Sequence, residues 1–142
     1  MKEIIKREKY FSKIIPYINK DIIKVLVWQR RVWKSKLLLQ IIDYLKKDLK
    51  INEQEIIYID KENMNFDYIN DYKILYEETK SYKYIFVDEI QNIKEWEKAI
   101  LSLQNENKDI YITWSNSNML SSNLATNLRW RFIQINIFPL SH

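Results

Sequence analysis

Five short apolar runs alternate along the chain with segments of helical periodicity, and this alternation constrains the fold more than any other feature. The runs are rich in β-branched and aromatic residues and cover residues 22–27, 55–59, 82–87, 110–113 and 131–137. Their weak internal alternation is typical of strands that are buried on both faces of a sheet. The sequence therefore predicts five strands in the interior of a layered fold.

Two helices are predicted between these runs, because apolar residues recur there about four positions apart. One carries Leu37, Leu38, Ile41, Ile42, Leu45 and Leu49, and the other carries Ile93, Trp96, Ile100 and Leu103. Weaker helical patterns cover residues 8–18, 66–79 and 118–128. The β-α-β-α-β order predicts an α/β fold with a mostly parallel sheet, right-handed crossovers and helices on both faces. Ligands of such sheets bind outside the carboxyl ends of the strands.

The composition excludes several classes of function. The 142 residues predict a single domain, and the absence of cysteine excludes disulfides and thiolate metal sites. The only histidine is His142, so Ser-His catalysis is effectively excluded. Without a long apolar run or a signal sequence at residues 1–9, we expect a cytoplasmic protein that does not enter membranes. A net charge of +4 without a basic run permits nucleic-acid binding but does not indicate it.

The loop after the first strand has the spacing of a phosphate-binding loop. It reads Trp28-Gln29-Arg30-Arg31-Val32-Trp33-Lys34-Ser35, followed by Lys36, and it opens the predicted Leu37 helix. With glycine in place of both tryptophans it would be G-x-x-x-x-G-K-S between a strand and a helix, the Walker A pattern. Backbone N–H groups and the helix N-terminus would then surround a polyphosphate, Lys34 would reach its terminal phosphates, and Ser35 would ligate Mg²⁺. A solvated helix start is the alternative interpretation.

Two further polar segments follow predicted strands in the order that such a site needs. Asp88 and Glu89 directly follow the third run, as in a Walker B element in which Asp88 holds Mg²⁺ and Glu89 activates the attacking water. An acidic turn is the alternative. The fourth run is followed by Thr113-Trp114-Ser115-Asn116-Ser117, where a sensor residue for the γ-phosphate would lie, although a helix N-cap explains this segment alone.

Residues 25–39, 84–96, 110–120 and 124–141 together resemble the prokaryotic AAA-type P-loop ATPases that carry a winged-helix and nuclease-like C-terminal half. The resemblance implies a three-layer, P-loop NTPase-like sheet in the order 5-1-4-3-2 and hydrolysis of ATP with Mg²⁺. It covers only the ATPase core of that family, so residues 1–142 would be a fragment without the lid and the following domain. A homo-oligomer, and a protein or DNA client bound through the absent half, are the partners it suggests.

The resemblance also assigns roles by position. Lys34 and Ser35 match the phosphate loop, Asp88 and Glu89 match the Walker B pair, and Ser115 or Asn116 matches the sensor. Arg131 matches an arginine that the family keeps before its fifth strand, which would make Glu89, Asn116 and Arg131 the catalytic residues. A charge at the edge of a strand is the alternative interpretation of Arg131.

Four tryptophans stand where this family has glycine: Trp28, Trp33, Trp114 and Trp130. The chain contains no glycine at all. The glycine codon GGA and the codon UGA differ by one base, and UGA is read as tryptophan in some genetic codes and as glycine in others. Our hypothesis is therefore that the biological protein has glycine at these positions, and a decaying pseudo-ATPase is the rival explanation.

As written, the loop should bind nucleotide poorly, because an indole would fill the phosphate cradle and a Cβ opposes left-handed backbone geometry. We expect the tryptophans at the rim of the sheet, in exposed loops. The alternatives to an ATPase core are a non-catalytic, partner-binding fold and a small basic DNA-binding module. Ile133, Ile135 and Ile137 alternate on the last strand with no helix after them, which predicts an exposed apolar edge and self-association.

Overall fold

The centre of the fold is a parallel sheet of five strands. The computed structural model describes residues 2–28, 34–115 and 131–137. The strands are β1 (Ile23–Trp28), β2 (Ile56–Asp60), β3 (Tyr84–Asp88), β4 (Asp109–Trp114) and β5 (Phe132–Ile137). Neighbouring strands are parallel and follow the order β2-β3-β4-β1-β5. The predicted order 5-1-4-3-2 is the same order counted from the other edge, so it is confirmed, as is the position of β2 at an edge.

Helices cover both faces of the sheet. The described α-helices are α1 (Lys2–Ile14), α2 (Lys34–Lys47), α3 (Tyr72–Thr79) and α4 (Trp96–Asn105). Apolar residues of α1 and α2 form one core cluster with the sheet, and those of α3 and α4 form the cluster on its other face. The three-layer α/β fold class is therefore confirmed. The helix predicted over residues 118–128 lies outside the described residues.

The central strands are buried along their whole length, which explains their nearly continuous apolar sequence. Every residue of β1, β3 and β4 is buried. Successive side chains of β1 point to opposite faces, so Val25 and Val27 join the α3/α4 cluster while Leu26 and Trp28 join the α1/α2 cluster. The edge strand β2 is mostly half-buried, and the chain folds back from it into α3, whose first turn is capped by Asp71 at 3.0 Å from Ile74 N.

A buried ion pair joins β1 to β4 at the amino edge of the sheet. Lys24 Nζ contacts Asp109 Oδ1, and neither side chain is more than 1% exposed. The other carboxylate oxygen of Asp109 accepts hydrogen bonds from Tyr111 Oη at 2.7 Å and from Asn19 N at 3.1 Å. Burial lowers the pKa of Lys24, and the charge of Asp109 opposes that shift. The pair links two central strands at the edge that lies opposite their carboxyl ends.

The apolar side of β5 is covered, so the expected exposed edge face is wrong. Ile135 is 9% exposed and Ile137 is 1% exposed, and both belong to the cluster that contains Phe11 and Ile14 of α1. Gln134 and Asn136 are the exposed residues of this strand. The first helix of the chain therefore packs with Ile135 and Ile137, and Ile133 is half-buried against the same cluster.

Within the described part of the chain, none of the helices has the length and apolar character needed to cross a bilayer.

Candidate functional site

Acidic side chains lie at the carboxyl edge of the sheet, where two neighbouring strands end. Asp60 is the last residue of β2 and Asp88 is the last residue of β3, and the two are paired in register. All strands are parallel, so their carboxyl ends share one edge, which is where ligands of open α/β sheets bind. The structure places Asp88 at the position that the sequence predicted for a Walker B aspartate.

Thr113 of β4 connects the two acidic residues at the end of β3. Its hydroxyl donates to Asp88 Oδ1 at 2.5 Å and accepts from the backbone N–H of Glu89 at 2.9 Å. Asp88, Glu89 and Thr113 are all 0% exposed. One hydroxyl in the neighbouring strand therefore contacts both the Asp88 carboxylate and the backbone at Glu89, and Tyr58 Oη lies 3.4 Å from the other oxygen of Asp88.

Glu89 adopts the left-handed backbone conformation, which is unusual for a residue with a Cβ. Its φ is 62° and its ψ is 54°, and the chain then forms a 3₁₀ turn over Ile90–Asn92. The two carboxylate oxygens have separate donors, because Gln91 Nε2 lies 2.5 Å from Oε1 and Ser115 Oγ lies 2.5 Å from Oε2. The side chain is thus held from its own turn and from the end of β4.

The donors at this edge fit a hard divalent cation. Single carboxylate oxygens of Asp60, Glu62 and Asp88 all lie within 4.8 Å of one another. Oxygen ligands from one or two carboxylates are typical of Mg²⁺ sites that also use substrate phosphates. Lys61 does not oppose this arrangement, because its ammonium is directed to Phe66 O at 2.7 Å, and burial lowers its pKa.

Two of the four unusual tryptophans are buried in the core, so the expectation that they lie in exposed rim loops is wrong for them. Trp28 is 1% exposed at the end of β1, and Trp114 is 0% exposed at the end of β4. Neither is among the described residues with positive φ, so no left-handed strain arises there. Trp28 belongs to the cluster of Leu37 and Leu38, and its indole fills space between β1 and α2.

The ring nitrogen of Trp114 is a buried donor without a hydrogen-bond partner among the described residues. The ring itself packs against Trp96, with 5.6 Å between centroids. An unpaired buried N–H costs about 1 to 3 kcal/mol. Trp96, its partner in this contact, is a buried residue of α4.

Most of the predicted phosphate loop lies outside the described residues. These are Gln29, Arg30, Arg31, Val32 and Trp33, and the side chains of Lys34 and Ser35 are likewise not described. The described backbone resumes at Lys34, where α2 begins. The side chain of Lys36 is exposed in the first turn of α2. The strand and the helix that flank the loop therefore stand in the arrangement the Walker A pattern requires.

The structure brings Glu89 to the candidate site but does not bring Arg131 there. Arg131 precedes β5 at the amino edge of the sheet, about 20 Å along the strand from the carboxyl end at 3.3 Å per residue. Its guanidinium pairs with Asp21 Oδ2 at 2.7 Å. Within its own subunit this position separates Arg131 from the candidate site, and the pairing with Asp21 favours the strand-edge interpretation. The predicted catalytic Asn116 and the tryptophan at position 130 lie outside the described residues.

Asp60 and Gln91 were not predicted from the sequence to belong to this edge. The link that Thr113 makes between Asp88 and Glu89 was not predicted either. A signal existed for Asp60, because it ends a strand run as Asp88 does. Thr113 was visible only as one member of a polar stretch. Gln91 had no sequence signal, because its contact with Glu89 depends on the left-handed backbone between strand and turn.

Comparisons with known proteins agree with this geometry. The AAA_14 family model, described as an AAA domain, matches residues 20–142. An uncharacterized protein of Haemophilus influenzae is 37% identical over an alignment of 148 residues including gaps. The alignment covers 99% of this chain and 37% of that protein. Uncharacterized protein MJ1544 of Methanocaldococcus jannaschii is 34% identical, covering 98% of this chain and 33% of its own length. The chain thus spans about a third of these relatives.

Two solved structures share the fold. A chain in the structure of Drosophila ORC bound to DNA aligns with a TM-score of 0.59 and 11% identity, covering 94% of this chain and 90% of that chain. A chain in the structure of Drosophila ORC bound to AT-rich DNA and Cdc6 aligns with a TM-score of 0.51 and 12% identity, covering 95% and 56%. At these identities the likeness concerns the fold alone.

Proposed function

This chain belongs to the AAA_14 family of AAA domains, and from that membership we propose that it is the nucleotide-binding core of an ATPase, with Mg-ATP at the carboxyl edge of its sheet. The AAA family match and the sheet order make a P-loop ATPase-like fold the established part of this account. Binding, hydrolysis and the residues that carry them are the proposed part.

One observation carries the proposal: Asp88 and Glu89 lie buried at the end of β3, linked by Thr113 of the adjacent strand. Burying two neighbouring carboxylates is costly unless they are hydrogen-bonded or matched to a cation. A site that holds Mg²⁺ and directs a water needs two such buried carboxylates. An acidic turn at the surface does not need to bury them. The flanking order of β1, the loop and α2 supports the same assignment.

Mg-ATP, when bound, supplies the phosphoryl group that hydrolysis transfers to water. The N-terminus of α2 directs its backbone N–H groups toward the loop, and Lys34 would contact the terminal phosphates. Ser35 and Asp88 would hold the cation, with Asp60 and Glu62 close enough to bind its water ligands. Glu89 would accept a proton from the attacking water, and Asn116 or Ser115 would contact the γ-phosphate.

The chain as written should be impaired in this function. Trp28 is buried in the core cluster that includes Leu37 and Leu38 of α2, so an indole stands at the first position of the loop, where this class of loop has glycine. The same observation favours the alternative candidate, a non-catalytic pseudo-ATPase or partner-binding fold, for the polypeptide with tryptophan at this position. A small basic DNA-binding module has only the net charge of +4 behind it.

We further propose that the whole protein couples this core to a protein or DNA client through a following domain, and that the core works as a homo-oligomer. The relatives that are about three times longer than this chain support a role as one module among others. The fold is shared with chains from structures of Drosophila ORC bound to DNA, and this likeness makes DNA the client to test first. An arginine from a neighbouring subunit would also complete the site that Arg131 does not reach within its own chain.

Thermal unfolding tests the proposed function. We expect the Trp28→Gly/Trp33→Gly variant to gain thermal stability with Mg-ATP, about 2.7 kcal/mol at 100 times the dissociation constant. The chain as written should gain none. Asp88→Asn in the glycine background should lose the part of the effect that depends on Mg²⁺, and Asn92→Ala, an exposed neighbour, should keep it. A folded double-glycine variant that Mg-ATP does not stabilise would refute the proposal.

A further inference from the structure

We propose that Gln91 is the positioning residue for the Glu89 carboxylate. Its side-chain amide donates a hydrogen bond that holds Oε1 in place. Oε2 is then the oxygen that can exchange its hydrogen bond from Ser115 for one from a water. This inference rests on the proposed function, since it assigns Gln91 a part in activating the attacking water. It concerns a residue to which the family resemblance assigned no role.

Each carboxylate oxygen of Glu89 has a donor of its own. Gln91 Nε2 lies 2.5 Å from Oε1, and Ser115 Oγ lies 2.5 Å from Oε2. The two donors come from different elements, one from the 3₁₀ turn after β3 and the other from the end of β4. Gln91 belongs to the same turn as Glu89, so its contact persists when the end of β4 shifts. Ser115 adjoins the sensor segment, and its contact is the one that a bound γ-phosphate can compete for.

The turn that carries Gln91 is anchored in the core on both sides of this residue. Ile90 is 0% exposed and Ile93 is 1% exposed, and both belong to the cluster between the sheet and the α3/α4 layer. Glu89 is left-handed at φ 62°, and this conformation brings the side chains of residues 89 and 91 to the same side of the turn. The hydrogen bond from Glu89 N to Thr113 Oγ1 maintains the conformation against its cost of about 1 to 2 kcal/mol.

The side-chain amide of Gln91 has one favoured orientation. Its Oε1 is buried and has no hydrogen-bond partner among the described residues. If the amide were turned over, this oxygen would face the Glu89 carboxylate and the two acceptors would repel each other. The carboxylate therefore sets the amide orientation, and the unpaired oxygen is available to a water that enters beside Glu89.

The first arm of the test uses the chain as written and needs no nucleotide. We expect NMR to show slower solvent exchange for the Gln91 side-chain amide than for that of Asn92, which is exposed in the same turn. Glu89→Met removes the acceptor and should abolish the difference, whereas Ser115→Ala should keep it because Ser115 bonds the other oxygen. Exchange at Gln91 as fast as at Asn92 overturns the inference.

The second arm measures hydrolysis in the Trp28→Gly/Trp33→Gly background. Gln91→Ala and Gln91→Glu, which both remove the donor, should lower kcat about 10- to 100-fold and leave the dissociation constant of Mg-ATP within about twofold. Asn92→Ala should leave both constants unchanged. If the double-glycine parent turns over ATP and Gln91→Ala keeps its kcat, this inference alone is overturned. If that parent shows no turnover, the hydrolytic part of the proposed function is overturned, and this inference with it.

Discussion

Replacing Thr113 with valine removes the one hydroxyl that joins Asp88 to Glu89, with almost no change in side-chain shape. Oγ1 makes two hydrogen bonds in the structure, a donated one to Asp88 Oδ1 at 2.5 Å and an accepted one from Glu89 N at 2.9 Å. All three residues are 0% exposed, so water does not replace the lost partner without rearrangement. We therefore expect Thr113→Val to destabilise the fold and to release the turn at Glu89.

The magnitude follows from the two groups that lose a partner. A hydrogen bond to a charged group contributes about 1.5 to 3 kcal/mol, and a buried N–H left unpaired costs about 1 to 3 kcal/mol. The two effects share one atom and do not add in full, and valine has a slightly better strand propensity than threonine. The expected loss in free energy of unfolding is about 2 to 4 kcal/mol.

Thr79 provides a matched control for this substitution. It is also 0% exposed, but its hydroxyl donates to backbone carbonyls of its own helix, Leu75 O at 2.7 Å and Tyr76 O at 3.4 Å. Thr79→Val leaves those carbonyls to their helical partners and should cost less than about 1 kcal/mol. Urea unfolding measures the loss in free energy of unfolding for both variants, provided that the dependence on urea concentration has the same slope in each. Thr113→Ser should recover most of the loss because it restores the hydroxyl. Equal losses in Thr113→Val and Thr79→Val would refute the linking role of Thr113.

Three further predictions concern the core and the tryptophans. Lys24→Met should cost about 3 kcal/mol because it leaves the buried Asp109 charge without its cation, and the double variant Lys24→Met/Asp109→Leu should cost less than the single one in urea unfolding. A double variant that is less stable than Lys24→Met would contradict this. Burial raises the pKa of Tyr111 well above 10.0, so the folded state holds its phenolic proton more tightly than the unfolded state does. The phenol's contribution to the free energy of unfolding is complete below pH 10.0 and is lost as the pH rises above it. The difference in free energy of unfolding between the parent and Tyr111→Phe should therefore narrow above pH 10.0. A difference that stays constant would show that the phenol is not responsible. Peptide mass spectrometry of the native protein should show glycine at position 28 if the codon is read as glycine, and an intact Trp28 peptide would end that hypothesis.

The order of the strands was predictable, because five buried runs alternate with helical segments and the family resemblance supplies their arrangement. The positions of Asp88 and Glu89 followed equally well, since a residue after a buried strand must lie at the edge of the sheet. These are properties of local periodicity and of parallel topology, which a sequence carries directly.

The contacts of individual side chains were not predictable in the same way. Lys24 lies in an apolar strand where a charge is costly, and only the distant Asp109 explains its burial. The cover of Ile135 comes from α1, which lies more than a hundred residues away in sequence. The expected rim position of Trp28 was wrong because the space between β1 and α2 accommodates an indole that packs against leucines. Long-range packing decides each of these, and periodicity carries no information about it.

The central claim is that the loop between β1 and α2 is a nucleotide site that its tryptophans block. Titration calorimetry with Mg-ATP tests this most directly, on the chain as written, on Trp28→Gly/Trp33→Gly, and on the same double variant with Lys34→Ala. We predict binding heat from the double-glycine variant alone, because only it combines an open cradle with the lysine that neutralises the phosphates. No heat from a folded double-glycine variant, or equal heat with and without Lys34, would contradict the claim.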